Sequence, residues 1–121
     1  MKVLTLDKSL KKYLRDVVPK SVFKEIEQGK ANVVLVSPTL IAVFRMELST
    51  MVIVGIKGRK VYESRQALID LARANGASHV RFHTKYPERL QKAMAGLEVK
   101  LVGIRRNLLG RDEHIYLVGV M

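Results

Sequence analysis

The sequence predicts an α+β fold, in which a mixed, mostly antiparallel sheet carries helices on both faces. Strand-like runs at residues 31–37, 40–48 and 51–58 are joined by very short connections, which require neighbouring antiparallel strands. Helical and strand patterns surround these runs and give the order β-α-α-β-β-β-α-β-α-β-β. The length of 121 residues suits a single domain, which we expect over residues 1–121.

The first half of the chain predicts two helices between a short strand and the three strand-like runs. Residues 1–6 alternate apolar and polar side chains, as in a strand, and Asp7 follows as a helix N-cap. Apolar residues then recur at helical spacing until Pro19, which ends this helix and begins a second one that stops at Gly29. Inside the third strand-like run, Gly55 predicts a β-bulge or a point where something approaches the backbone closely.

The second half of the chain alternates helices and strands. Asn75 and Gly76 form a helix C-terminal signal, and Pro87 suits the first turn of the next helix. The predicted elements are helices at 62–75 and 87–96 and strands at 78–84, 97–104 and 114–121, with a polar loop at 105–113.

Positive charge is the most prominent feature of the composition. The chain has 22 Lys and Arg against 11 Asp and Glu, a formal net charge of +11 and a sequence pI near 10.2. This field attracts polyanions, so nucleic acid or an acidic protein surface is an expected partner, although a basic surface also serves solubility alone. With 4 Tyr, 3 Phe and no Trp, base stacking is not favoured. The expected polyanion-binding residues are Lys8, Lys11, Lys12, Arg15, Lys85, Arg89, Lys92, Lys100, Arg105, Arg106 and Arg111.

Several classes of protein do not fit the sequence. Cysteine is absent, no apolar run approaches the roughly eighteen residues of a membrane-spanning helix, and the N-terminus does not read as a signal peptide, so we expect a cytoplasmic protein. His79 and His83 would lie about 13 Å apart along one strand, too far to share a metal ion. We therefore expect no metal site, and no Walker, GxGxxG or Ser/His/Asp pattern is present.

Two segments resemble parts of a known family. "ALIDLARANGASHVRFHT" is similar to the helix, Asn/Gly cap and following strand of the GCN5-related N-acetyltransferases (GNAT), and "RLQKAMAGLEVKLVG" is similar to their later helix and strand. With the order of elements, the resemblance covers essentially the whole chain and implies a GNAT-like fold. It also implies an acetyl-CoA site where the fourth and fifth strands separate, with the pyrophosphate on amides at the start of the next helix.

The turn in that position departs from the family pattern. GNAT proteins use Arg or Gln, two residues, Gly, one residue, then Gly or Ala, because glycine lets backbone amides come close to phosphates. Here Tyr62 takes the first glycine position and Glu63 adds a negative charge, which disfavours CoA. Ser64 takes the small-residue position and also suits a helix cap. If CoA binds, the expected cofactor residues are Arg59, Lys60, Tyr62, Ser64 and Arg65.

The catalytic residues that the resemblance implies are also missing. Many family members have a Tyr in the helix after the fifth strand that protonates the leaving thiolate, and Lys92 occupies its position. Tyr86, at the start of that helix, could substitute only if the helix were repositioned, and it also suits packing at the rim beside Pro87. Glu47 and Glu63 are the carboxylates nearest the expected cleft, with Glu47 the candidate base, although each also suits an ion pair with Arg45 or Arg65.

Two functions follow from these observations. The first is a non-catalytic GNAT-like binding or structural module without a cofactor, similar in style to small GNAT-like proteins of tailed bacteriophages that act inside the virion or in head assembly. It would lie in the host cytoplasm or the virion, and an exposed edge strand would meet its assembly partner. The alternative is an acetyl-CoA-dependent N-acetyltransferase with an atypical cofactor turn. The oligomeric state stays open.

Overall fold

The computed structural model describes residues 2–120, so Met1 and Met121, which belong to the first and last predicted strands, lie outside the described residues. The helices are α1 (Lys8–Leu14), α2 (Lys20–Glu27), α3 (Arg65–Ala74) and α4 (Pro87–Ala93). The strands are β1 (Lys2–Val3), β2 (Asn32–Ser37), β3 (Leu40–Glu47), β4 (Thr50–Gly58), β5 (His79–Thr84), β6 (Val99–Arg105) and β7 (Glu113–Gly119).

The strands form one seven-stranded sheet in the order β1-β2-β3-β4-β5-β7-β6. Every neighbouring pair is antiparallel except β4 and β5, which run parallel. The parallel pair is connected through α3, as a parallel crossover requires. The predicted fold class, a mixed and mostly antiparallel sheet, is therefore confirmed.

Helices cover both faces of the sheet, as predicted. Along β2 and β3, neighbouring side chains point to opposite faces, so Val33 and Val43 pack with Leu14, Val18 and Val22 of the α1–α2 layer. The other face holds a larger core around α3 and α4: Val34, Ala42, Phe44, Met51, Leu68, Ala72, Val80, Phe82, Met94 and Val118. Two apolar layers thus fix the sheet from both sides.

Some predicted boundaries differ from the observed ones. The helix expected from Tyr62 begins at Arg65, because Ser64 N donates to Lys60 O at 3.0 Å and closes a separate turn. Lys60 has φ 62°, a left-handed conformation that interrupts regular structure between β4 and α3. The N-cap prediction is confirmed, since Asp7 Oδ1 accepts a hydrogen bond from Leu10 N at 2.8 Å.

The parallel pair β4–β5 separates part of the way along its length. Pairing runs from Thr50 opposite His79 to Ile53 opposite Phe82 and then ends. Beyond it, β4 stays paired with β3 and β5 stays paired with β7. The β3–β4 register shifts at this point, leaving Val54 as an extra residue of a β-bulge. The facing edges of the two strands are consequently open after Ile53 and Phe82.

Candidate ligand-binding cleft

The separated strands open a cleft of about 920 Å³ through the sheet. Its walls are the second half of β4, the end of β5, the connection between α1 and α2, the first turns of α4 and the start of β7. Backbone donors and acceptors on the facing strand edges are therefore available to an extended ligand.

Gly55 shapes the side of the cleft under the α1–α2 connection. A Cβ added at Gly55 would lie 2.7 Å from Val18 Cγ2 and 2.9 Å from the carbonyl oxygen of Val17. The sequence prediction of a bulge or a close approach is confirmed on both counts, because the bulge at Val54 is adjacent and the α1–α2 connection lies directly on the strand.

The side chains of His83 and Glu113 form a polar pair in the cleft. His83 Nδ1 lies 2.9 Å from Glu113 Oε1, and Arg81 Nε donates to His83 Nε2 at 3.0 Å. Because Nε2 accepts this hydrogen bond, the ring proton lies on Nδ1 and is donated to the carboxylate. Sequence reasoning missed this pair, since His83 was weighed only as a metal ligand and Glu113 was placed in a polar loop. The β5–β7 pairing that joins them is non-local.

Asp16 is the second carboxylate that lines the cleft. Lys57 Nζ donates to Asp16 Oδ1 at 2.8 Å and to the carbonyl oxygen of Tyr13 at 2.8 Å. The hydrogen bond from Lys57 holds the pKa of Asp16 below its ordinary value. Asp16 is thus an ionised partner of Lys57 and a poor proton acceptor. Glu113, the other carboxylate of the cleft, is therefore the better candidate for taking a proton.

Glu47, the candidate base from the sequence, lies in a chain of ion pairs and not along the cleft. Arg45 Nε donates to Glu47 Oε2 at 2.9 Å, and Arg81 donates to the same carboxylate at 3.2 Å. The hydrogen bond from Arg45 is the main cause that holds the pKa of Glu47 below its ordinary value. Arg45 also pairs with Glu25 at 3.4 Å, so this series of ion pairs extends to α2. The expected ion pair with Arg45 forms, and Glu47 is not placed to take a proton in the cleft.

Tyr86 lines the cleft at the N-cap position of α4. The guanidinium carbons of Arg89 and Arg111 lie 4.4 Å and 4.9 Å from its ring centroid, so two cations hold the ring. The ring is 42% exposed, which keeps it accessible from the cleft. Lys92, at the position of the family's Tyr, is exposed and does not line the cleft.

The predicted phosphate turn contributes Val61 to the wall of the cleft. Arg65 packs its guanidinium 3.8 Å from the Tyr62 ring centroid and donates to the Tyr62 carbonyl oxygen at 2.7 Å. This contact holds the Tyr62 ring outside the cleft wall. Ser64 is buried and its hydroxyl donates to Ser37 Oγ at 3.1 Å, so its side chain caps no helix amide.

The backbone of this turn keeps amides free. Within residues 2–120, the amides of Val61, Tyr62 and Glu63 donate no backbone hydrogen bond. Glu63 is exposed beside them. Arg59 faces a different pocket, of about 510 Å³, together with Tyr13 and Lys57, and Lys60 is exposed. The turn thus has three amides without a backbone acceptor, and its predicted cationic side chains lie outside the cleft.

The structure divides the predicted polyanion-binding residues. Lys11 pairs with Glu27 at 2.7 Å, Arg111 with Glu88 at 3.4 Å and Arg106 with Asp112 at 3.8 Å. Within the described residues, the other members of the set make no ion pair: Lys8, Lys12, Arg15, Lys85, Arg89, Lys92, Lys100 and Arg105. Arg15, Lys85 and Arg89 all line the cleft, Arg15 from the connection between α1 and α2 and the other two from the β5–α4 connection and α4. We call these three residues the cationic rim.

Residues 2–120 contain no group of three or more His, Cys, Asp or Glu side chains arranged to hold a metal ion. None of their helices is long and apolar enough to cross a membrane.

The order of elements, the parallel pair that separates beside a β-bulge and the helices on both faces define a GNAT fold. Among solved structures, the chain is similar to a protein assigned as a GNAT-family acetyltransferase from Desulfovibrio desulfuricans, with a TM-score of 0.66 and 15% identity, covering 99% of this chain and 98% of the other. It is similar to the ribosomal-protein-S18-alanine N-acetyltransferase from Escherichia coli, with a TM-score of 0.58 and 13% identity over 97% and 91% of the chains.

The CoA-dependent acyl-homoserine lactone synthase MesI is also similar, with a TM-score of 0.62 and 12% identity over 94% of this chain and 82% of that one. No protein-family model matches the sequence, and no curated protein sequence matches it. At these identities the likeness shows the fold. The resemblance to bacteriophage proteins and the association with nucleic acid stay predictions.

Proposed function

We propose that residues 1–121 form one domain whose cleft binds a CoA thioester, and that the protein transfers its acyl group to an amine. The observation that carries this proposal is the separation of β4 and β5 after Ile53 and Phe82, which opens a cleft of about 920 Å³. Structural neighbours that are acetyltransferases or a CoA-dependent synthase support the choice of ligand.

The residues around the cleft fit an elongated, anionic thioester. The open edges of β4 and β5 offer backbone groups to an amide-containing chain, and the free amides of Val61, Tyr62 and Glu63 suit a pyrophosphate. The Tyr62 ring, which the sequence suggested would obstruct this approach, is held aside by Arg65. Glu63 is the unfavourable group, because its carboxylate stands beside the amides. Bound acetyl-CoA would supply the activated acyl group.

The polar groups of the cleft divide into a proton acceptor and a proton donor. Glu113 would take the proton of the attacking amine, while His83 orients the carboxylate through its Nδ1 proton. The Tyr86 hydroxyl would protonate the leaving thiolate, in place of the absent Tyr at position 92. The cationic rim of Arg15, Lys85 and Arg89 would favour anionic groups at the cleft mouth.

The second candidate is a non-catalytic binding or assembly module with the same fold. It is favoured by a specific observation: Tyr62, Glu63 and Ser64 replace the glycine pattern of the cofactor turn, and Lys92 replaces the family's Tyr. In this role the cationic rim would bind a polyanion or an acidic protein surface, in a host cytoplasm or a virion.

Calorimetric titration of acetyl-CoA at about 0.3 M salt tests the proposal, because the short Debye length suppresses purely ionic attraction. We expect saturable binding in the micromolar range. Acetyl transfer to a panel of amines should fall about a hundredfold in kcat for Glu113→Gln, and similarly for Tyr86→Phe, with little change in Kd. Glu98→Gln, which removes an exposed carboxylate outside the cleft, is the matched control. Absence of binding would favour the non-catalytic module.

A further inference from the structure

The hairpin between β6 and β7 exposes two adjacent leucines at its tip. Leu108 is 100% exposed and Leu109 is 98% exposed. Three arginines surround them in sequence, Arg105, Arg106 and Arg111, against two carboxylates, Asp112 and Glu113. Exposed leucines cost free energy in water unless another apolar phase covers them.

Polar groups of the loop itself fix its conformation. Asn107 N donates to Asp112 Oδ1 at 3.0 Å, and Leu109 N donates to Asn107 Oδ1 at 3.2 Å. Arg106 lies 3.8 Å from Asp112 and keeps 87% of its side chain exposed. The leucines are therefore presented by an ordered turn, with cationic side chains beside them.

Apolar exposure continues along the edge strand β6 next to this tip. Leu101 is 45% exposed, and Val102 and Ile104 are each 48% exposed. Val102 is the extra residue at a register shift of the β6–β7 pair. An apolar surface thus leads from the edge of the sheet to the basic tip of the hairpin.

We propose that this hairpin tip docks on an anionic lipid bilayer. Leu108 and Leu109 would enter the boundary between headgroups and acyl chains, while Arg105 and Arg106 contact lipid phosphates. A bilayer accepts two adjacent leucines without a shaped pocket. A second copy of the chain would bring the arginines of two molecules together, although each molecule carries a net charge of +11. Nucleic acid would pair with the arginines but would leave the leucines in water. The charge of the tip therefore favours lipid as the occupant.

Co-sedimentation with vesicles of phosphatidylcholine containing about one third phosphatidylglycerol, at about 0.1 M salt, measures this interaction. We expect the full chain to bind these vesicles and to bind pure phosphatidylcholine much less. The double variant Leu108→Ser, Leu109→Ser should lower the partition coefficient roughly tenfold or more. The double variant Arg105→Gln, Arg106→Gln should lower it roughly tenfold and reduce its salt dependence.

The chain offers matched controls for both changes. Leu48 is also 100% exposed, but Glu47 precedes it and no cation adjoins it in the sequence, so Leu48→Ser should leave binding unchanged. Lys20→Gln with Lys24→Gln removes two exposed cations from α2 and should have a small effect. Equal losses from these controls, or wild-type binding by the leucine variant, would overturn the proposal. Sedimentation equilibrium without vesicles provides a further check, because leucine-dependent self-association in place of lipid binding would identify a second copy as the occupant.

Discussion

At Gly55, the absence of a side chain sets the distance between β4 and the connection from α1 to α2. The carbonyl oxygen of Val17 and the methyl group of Val18 occupy the space that a Cβ would need. Val18 is 3% exposed and belongs to the α1–α2 core, so it has little freedom to move. One residue thus couples the packing of a helix pair to the width of the cleft.

Replacing Gly55 with Ala should destabilise the protein by about 1–3 kcal/mol, because either the strand or the α1–α2 connection has to shift. Urea unfolding with a fixed m-value measures this change. Gly119→Ala is the matched control, since Gly119 also lies in a strand and an added Cβ there would meet no atom within 4 Å. An equal effect at both positions would show that the close approach to Val17 and Val18 is not the cause.

Sequence reasoning was uneven at the residue scale. It identified Gly55 and the Asp7 cap, because a glycine in a strand and a capping residue before a helix are local signals. It also placed Tyr86 beside the expected cleft. It did not find Glu113, whose role depends on a strand that lies 30 residues from His83 in sequence.

At the scale of elements, the backbone conformation of the junction between β4 and α3 determines which amides an anion could contact. Regular structure stops for several residues there, since Gly58 has φ 134° and Lys60 has φ 62°. A Cβ at Gly58 would lie 1.9 Å from the carbonyl oxygen of Thr39, so only glycine fits this position. The chain then forms one separate turn before α3 begins at Arg65, and within the described residues the amides of Val61, Tyr62 and Glu63 in that turn donate no backbone hydrogen bond.

Tyr62→Gly should strengthen acetyl-CoA binding, because the glycine of the family pattern has no Cβ and lets the backbone amides come closer to the phosphates. Glu63→Gln should do the same by removing a negative charge beside the expected pyrophosphate. We expect each to improve Kd by about three- to tenfold in calorimetry at fixed salt. Glu98→Gln, an equal change of charge away from the turn, controls for net charge. If neither variant differs from this control, the turn does not receive the cofactor.

At the scale of the whole molecule, folding pairs some of the charges and leaves others without a partner. Several carboxylates are engaged by cations, including Glu25, Glu27, Glu47, Asp16 and Glu88. The cations left without such partners include the exposed face of α1 and the cationic rim of Arg15, Lys85 and Arg89. Part of the net charge of +11 is therefore presented on α1 and along the cleft.

A duplex DNA or heparin ligand should bind with a steep dependence on salt if α1 and the cleft form a polyanion surface. Lys12→Glu with Arg15→Glu should weaken binding and reduce the slope of log K against log salt by about two, one for each lost phosphate contact. Lys20→Glu with Lys24→Glu, on the exposed side of α2, makes the same change of charge elsewhere. Filter binding across a salt series separates the two variants, and equal slopes would exclude α1 as the contact surface.

The sequence by itself determined the order and type of the elements, because hydrophobic periodicity, helix caps and short turns act over a few residues. It also determined the net charge and the absence of the GNAT glycine pattern from the turn before α3. Only the tertiary structure decided that β7 lies between β5 and β6, which brings Glu113 to His83. It likewise decided that Arg15 and Arg89 line one cleft and that Glu47 does not line it. Strand pairing depends on contacts between distant residues, and no local pattern specifies those contacts.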